Sequence, residues 1–381
     1  MTLHFQTIRN YDDFLGLRQT WNELACQSGI DHAFMRHEWF DCWLRNMGDP
    51  SRLAILAGYQ EDRLAAIAPL QINREKLKGI PVRSISFLMS GISPRCNFII
   101  HPRFPRNDFF KALFQIRGWD LMNLGGLESE IAVTSDFISF LEREYSGRYT
   151  LEAARQSPFL HIDGNWDNYL ESLSKKHRKN IKQGLNRMAR LGQYVFEKCD
   201  SPGRFIEIYD DILGVSQKSW KAKSGSDIGA IPSQKAFYRD FCGSFEGLWE
   251  MRLLWVGDKC IAFNIFLRQG NRMTGIRTDY DEEYRYYGPG QMMILFTLMD
   301  LFKSRLPWEF DMGGMAADFK LDWTDHVRNH VNIMVAHPGP FGSLLLFGRI
   351  KLLPFLRRLS GKSLPPETIQ AGTPPQTVDD E

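Results

Sequence analysis

Residues 272–304 read RMTGIRTDYDEEYRYYGPGQMMILFTLMDLFKS. The first part, 272–280, alternates apolar and polar side chains with β-branched and aromatic members, as a strand does. From Gln291 to about Ser304 the chain is an apolar run of helical length. Between them lie the acids Asp281, Glu282 and Glu283 and then Arg285-Tyr286-Tyr287-Gly288-Pro289-Gly290, which spells R-x-x-G-x-G. Glycines let backbone approach an anion closely, and the N–H groups opening a helix, aided by its dipole, attract phosphate. A loose pattern of this kind arises by chance about once per several hundred residues. Its place between a strand and a long helix supplies the specificity; the plainer alternative is an ordinary strand-to-helix turn.

Working outward, 249–256 and 260–268 read as two more strands, with Gly257-Asp258 and Gln269-Gly270-Asn271 as hairpin turns. Upstream lie a short strand at 194–198, a helix opening at Pro202 and carrying Phe205, Ile208, Ile212 and Leu213, and a second helix at 233–241. Downstream, 308–312 reads as a strand, 316–323 as a short helix and 331–336 as a strand. The expected order is β-α-α-β-β-β-α-β-α-β. The first half repeats it: helices at 11–26 and 35–47, a hairpin at 53–59 and 63–72, a strand at 82–89, a helix at 108–116 and a strand at 120–124. In place of the glycine loop it has the proline-rich stretch 90–106, so it is expected to be a degenerate partner. The expected domains are 1–155, 156–340 including a basic helix at 166–191, an amphipathic helix at 341–359 and a disordered tail at 360–381.

With 381 residues, 43% hydrophobic and 24% charged, the chain suits two globular domains. The formal net charge is only +2, so no global field points to DNA and anions must be drawn by local clusters. Cys26, Cys42, Cys96, Cys199, Cys242 and Cys260 show no C-x-x-C spacing and read as reduced, mostly buried thiols. The beginning of the sequence lacks a signal-peptide pattern, and the apolar stretch 344–356 is interrupted by Gly348, Arg349, Lys351 and Pro354. A cytoplasmic protein without a transmembrane helix is expected.

Three segments together carry a family resemblance: Trp166-Asp167-Asn168-Tyr169 continuing through Leu173, Lys176 and Arg178; Tyr280-Asp281-Glu282-Glu283-Tyr284 leading to Gly288-Pro289-Gly290; and Phe310-Asp311-Met312-Gly313-Gly314 leading to Phe319-Lys320 and Trp323. They resemble the GNAT-like acetyltransferases associated with cellulose and exopolysaccharide biosynthesis (the CelD/BcsL type), relatives of the FemABX peptidyltransferases. Where that family has Tyr-Lys, this chain has Phe319-Lys320. The resemblance implies an α/β fold of tandem GNAT-like acyltransferase domains, each a mixed twisted sheet flanked by helices. It also implies acetyl-CoA or another acyl-CoA as co-substrate.

Acylation of an amine or hydroxyl needs a held thioester, a base near the nucleophile and donors for the oxyanion. Asp279, Asp281 and Glu282 are candidate bases beside the loop. Asp311 precedes Gly313-Gly314, which would open room for a ligand. Lys320 could stabilise developing charge and Tyr280 could donate to the leaving thiolate. Arg285, Gly288, Pro289, Gly290, Gln291 and Met292 are the expected acyl-CoA residues, and Lys176, Arg178 and Trp220 the expected substrate contacts. On the helix at 166–191, Trp166, Tyr169, Leu173, His177, Ile181, Leu185 and Met188 share one side. Lys175, Lys176, Arg178, Lys179, Lys182, Arg187 and Arg190 make the rest basic, either a solvated face or a site for the phosphates of CoA, a lipid-linked sugar or a tRNA. Other motifs fail. Gly361-Lys362-Ser363 lacks the upstream glycine of a Walker loop, no G-x-S-x-G occurs, and His326 and His330 lack a partnering glutamate, so no metal is expected.

The leading expectation is therefore acyl transfer from acyl-CoA to a polar acceptor. Transfer from aminoacyl-tRNA and a silent scaffold in polysaccharide synthesis are the alternatives. A peripheral membrane contact is expected, if anywhere, at 341–359, where leucines and phenylalanines alternate with Arg349, Lys351, Arg357 and Arg358.

Overall fold

The computed structural model describes residues 2–347 apart from 31, 78, 89–91, 94 and 307. The helix Pro340–Phe347 is described, while the rest of the expected 341–359 helix and the tail at 360–381 lie outside the described residues. The chain separates into two compact units, neither continuous in sequence. The second unit comprises Leu15–Pro50 and Arg155–Asn329; the first comprises the described residues of 2–14, Ser51–Ala154 and 330–347.

The unit built on Arg155–Asn329 holds a sheet in the order Tyr194–Cys199, Trp249–Val256, Lys259–Gln269, Arg272–Tyr280, Trp308–Asp311, Ser157–Ile162, Val327–Arg328. The first four strands form an antiparallel meander. Arg272–Tyr280 and Trp308–Asp311 then run parallel, as the long helix Pro289–Lys303 between them requires. That helix is apolar nearly all round, because Met293, Leu295 and Leu298 pack with Leu254, Ile261, Phe266 and Phe310 in the core. Parallel pairing covers only Arg272 to Thr274 opposite Glu309 to Asp311, so from Gly275 onward this edge has no strand partner among the described residues. On the other edge, Ile265 faces Arg277 while Phe266 faces Gly275, which makes Ile276 the extra residue of a β-bulge.

The other unit follows the same plan. Its bonded strands are Leu3–Ile8, Ile55–Gln60, Arg63–Ala68 and Ile99–Ile100, and then Leu70–Leu77, Ile80–Phe87, Leu121–Glu128, His330–Ala336 and Tyr149–Ala153. Pro69, which cannot donate to a ladder, separates Arg63–Ala68 from Leu70–Leu77. A meander leads again to one parallel pair, Ile80–Phe87 with Leu121–Glu128, followed by antiparallel strands. Two copies of one mixed α/β topology are the tandem GNAT-like architecture expected.

Three local features differ from expectation. The helix expected at 166–191 is two helices, Trp166–Ser172 and Lys175–Met188. Leu173 is extended, and the Ser174 side chain accepts from the His177 amide at 3.1 Å, the local bond by which serine opens a helix instead of continuing one. The strand read at 331–336 as the end of the second half lies in the first unit's sheet, between Leu121–Glu128 and Tyr149–Ala153. Ser157–Ile162, not read as a strand, pairs with Trp308–Asp311.

Candidate active site

The unpaired edge from Gly275 to Tyr280 is where the parallel strands part. Gly313 lines the parting at φ +61°, and a Cβ on it would lie 1.9 Å from the Gly275 carbonyl oxygen, so only glycine fits. Lys320 folds back over this turn, donating to the carbonyls of Met312, at 3.2 Å, and of Gly313. Its ammonium therefore shapes the Gly313-Gly314 loop.

At the far end of the open edge lies the glycine turn. Gly288, at φ +66°, precedes Pro289 in the first turn of Pro289–Lys303, and the amides of Gln291 and Met292 both donate to the Gly288 carbonyl at 3.1 Å. Among the described residues the Gly290 amide has no acceptor, as expected of a helix start left open for an anion. A Cβ on Gly290 would face the Tyr280 ring at 3.7 Å. Arg187, from Lys175–Met188, brings its guanidinium to the same turn, 3.9 Å from where a Gly288 Cβ would be, and among the described residues its buried Nε has no hydrogen-bond partner. Arg285 is exposed beside it. Gln291 is tied down, accepting from Trp323 Nε1 at 3.2 Å and donating to the Phe319 carbonyl at 3.4 Å. Met292 turns inward; its methyl would collide at 2.5 Å with a Cβ on Gly184, so its side chain packs the helix pair and only its backbone borders the turn.

The expected acids occupy unequal surroundings. Asp279 is fully buried, with Ser216 Oγ at 2.6 Å, Arg277 Nε at 2.9 Å and Lys221 Nζ at 2.7 Å. Asp281 is equally buried; it pairs with Lys259 at 3.0 Å and accepts the Glu283 amide at 3.0 Å. Asp311 accepts from the Gly313 amide at 2.8 Å and the Ser157 hydroxyl at 3.3 Å and pairs with Arg328, itself bound to Glu309 at 2.8 Å. All three are committed to fixing strand ends. Glu282 is more accessible, with Lys223 at 3.6 Å. Burial, and next the Glu282 carboxylate, push the Tyr280 hydroxyl above its ordinary range, so it stays protonated at neutral pH.

Sequence reasoning missed Lys221, Ser216 and Arg277, which hold Asp279. Burial pushes the Lys221 ammonium below the usual lysine range against the pull of Asp279. Their one signal was Trp220 next door, which is half exposed on the short turn Trp220–Ser224. Of the expected substrate contacts on the basic helix, Lys176 is exposed, whereas Arg178 bends back to the Glu171 carbonyl. The first unit has a cavity of 390 Å³ lined by Arg106, Asn107, Asp136 and Arg143. Its arginines are already engaged, Arg106 with Asp136 and Arg143 with Asn107. Among the described residues no cluster of His, Cys, Asp and Glu is arranged to hold a metal.

An open strand edge leading into a glycine-opened helix is the arrangement of a GNAT-like fold. Residues 175–321, which contain the glycine turn, Tyr280, the Gly313-Gly314 loop, Asp279, Asp281, Asp311 and Lys320, match the family model described as Acetyltransferase (GNAT) domain. Solved structures extend the likeness in fold to most of the chain. The C-terminal domain of a putative lysylphosphatidylglycerol synthetase from Agrobacterium fabrum is 13% identical, covering 88% of this chain and 95% of its own at a TM-score of 0.53. A structure described as FemX is 11% identical over 91% of this chain and 100% of its own, at 0.53. A conserved protein of unknown function from Bacteroides thetaiotaomicron is 10% identical over 88% of this chain and 100% of its own, at 0.54. No curated protein matches the sequence.

Proposed function

We propose that the protein moves an acyl group, acetyl in the simplest case, from an acyl-CoA to an amine or hydroxyl of a polar, polysaccharide-related acceptor. One coincidence carries the reading: the open edge Gly275–Tyr280 ends at a helix start where, among the described residues, the Gly290 amide has no acceptor and the buried Nε of the approaching Arg187 has no partner. These are the groups a pyrophosphate would satisfy, with Gly288, Pro289, Gly290 and Gln291 in contact and Arg285 at the rim. The thioester supplies an activated carbonyl. The bulge at Ile276 and the free edge offer backbone N–H groups to a developing oxyanion, and Gly313 lets the opposite wall come close.

Tyr280, protonated and beside Gly290, donates to the sulfur as the C–S bond breaks. Glu282 is the accessible carboxylate at the same strand end and takes the proton released by the acceptor's nitrogen or oxygen as the new bond forms. Asp279, Asp281, Asp311 and Lys320 hold these strand ends in place. Calorimetric titration with acetyl-CoA tests the site: binding is expected for the native chain and lost in Gly290→Glu. Equal affinity for both would remove the glycine turn from the reaction.

The basic outer face of Lys175–Met188 favours a second reading, aminoacyl transfer from tRNA, in line with the similarity to the FemX structure. Filter binding of tRNA with a steep salt dependence would support it over acyl-CoA.

A further inference from the structure

The helix Lys175–Met188 and the turn after it have their inner face buried at His177, Ile181, Gly184 and Met188. Outward they present Lys175, Lys176, Lys179, Lys182 and Arg190, all exposed, and no Asp or Glu occurs from 175 to 192. Arg178 and Arg187 are turned aside to other tasks, so this cationic strip is not consumed by the glycine turn.

Exposed apolar side chains stand at both ends of the strip. At one end His177 packs edge-on against Trp323, ring centroids 4.4 Å apart, and that segment exposes Phe319 (47%), Leu321 (38%) and Met315 (59%). At the other end Arg187 lies over Tyr286, which is 61% exposed. Isolated exposed apolar residues are ordinary, but a group of them beside a one-sign charge strip marks a contact surface. Asp318 and Asp322 are exposed at the Trp323 end and reduce the positive field there without matching the strip.

We propose that this surface docks on a bilayer carrying anionic lipid, the lysines facing headgroups and Phe319, Leu321 and Met315 entering the interface. Positive charge over a wide face demands an anionic partner. Phe319 and Tyr286 offer a π-face to a nucleic-acid base, but aliphatic Leu321 and Met315 beside Phe319 suit an acyl boundary and not a stacked base, which favours lipid over RNA. No described helix is long and apolar enough to cross a membrane, so the contact is peripheral. Docking would hold the glycine turn near acceptors carried by the membrane, an inference that rests on the proposed acyl transfer.

Vesicle co-sedimentation of the full chain decides the matter without an activity assay. Vesicles of phosphatidylglycerol and phosphatidylcholine should pellet the protein, pure phosphatidylcholine should not, and added salt should release it. Lys179→Glu with Lys182→Glu and Arg190→Glu should weaken binding about a hundred-fold. Phe319→Ser with Leu321→Ser should weaken it several-fold, with circular dichroism and melting unchanged. Should the charge reversal misfold, the milder Lys179→Gln with Lys182→Gln replaces it, and a smaller loss is expected. Binding that ignores lipid charge, or that survives all of these variants, overturns the proposal. Vesicle-indifferent protein that retains tRNA on a filter assigns the strip to RNA instead.

Discussion

Gly313 and Gly290 are both glycines of the site, for different reasons. Gly313 combines φ +61° with a carbonyl 1.9 Å from any Cβ, whereas Gly290 has room for a methyl group, with the Tyr280 ring at 3.7 Å. Gly313→Ala is expected to cost about 2 kcal/mol or more through strain and collision, seen as a lower urea midpoint. Gly290→Ala should leave that midpoint nearly unchanged yet weaken acetyl-CoA binding, because the methyl stands where the anion would. Equal stability loss in both would refute the distinction. Tyr280→Phe, which keeps the ring against Gly290 and removes only the hydroxyl, is expected to lower kcat by about a hundred-fold or more with acetyl-CoA affinity held. An unchanged kcat would take the leaving-group proton away from Tyr280. The glycines and the run of acids were legible because each is a local pattern. The acids' surroundings were not: Asp279 is fixed by Ser216 and Lys221, and Asp311 by Ser157 and Arg328, partners that only the folded sheet brings near.

Helix Lys175–Met188 shows what periodicity conveys. Spacing placed His177, Ile181 and Met188 on one face, and they are buried there; the break at Leu173-Ser174 escaped because side-chain capping competes with an otherwise helical pattern. His177 adds a pH dependence. Burial against Trp323 lowers its proton affinity, and Asp322, at 3.7 Å from Nδ1, opposes this only in part. The unfolded chain takes up this proton near the ordinary histidine value of about 6.5, the folded chain only at lower pH. The stability contributed by neutral His177 is thus fully present above about pH 6.5. It is lost as pH falls from there through the folded value. Urea midpoints should therefore decline between pH 7.5 and pH 5 more steeply for the native chain than for His177→Phe, which keeps a ring against Trp323. Parallel profiles would show that His177 contributes nothing to the slope.

Across the whole chain, neither unit is encoded by one stretch of sequence. The sheet of the first unit needs His330–Ala336 between Leu121–Glu128 and Tyr149–Ala153. The second unit includes Leu15–Pro50, where Trp39 packs edge-on against Phe237 and Phe241 at 5.0 and 5.1 Å, and Asn46 donates to Asp240 at 2.9 Å. Strand and helix patterns betray the elements because they are local, but nothing local tells strand 330–336 which sheet it will join. Cutting the chain between residues 155 and 156 makes the consequence measurable. The fragment 1–155 would keep two strands with an empty place between them, exposing unpaired edges. The fragment 156–381 would lose the cover that buries Phe237 and Phe241, and removing a buried Trp alone costs about 3–5 kcal/mol. Each fragment expressed by itself is expected to be insoluble or to melt without a cooperative transition. Co-expressed, they should copurify and melt cooperatively, since each then supplies the segment the other lacks. A fragment 1–155 that unfolds cooperatively on its own would show that the late strand is dispensable to its sheet.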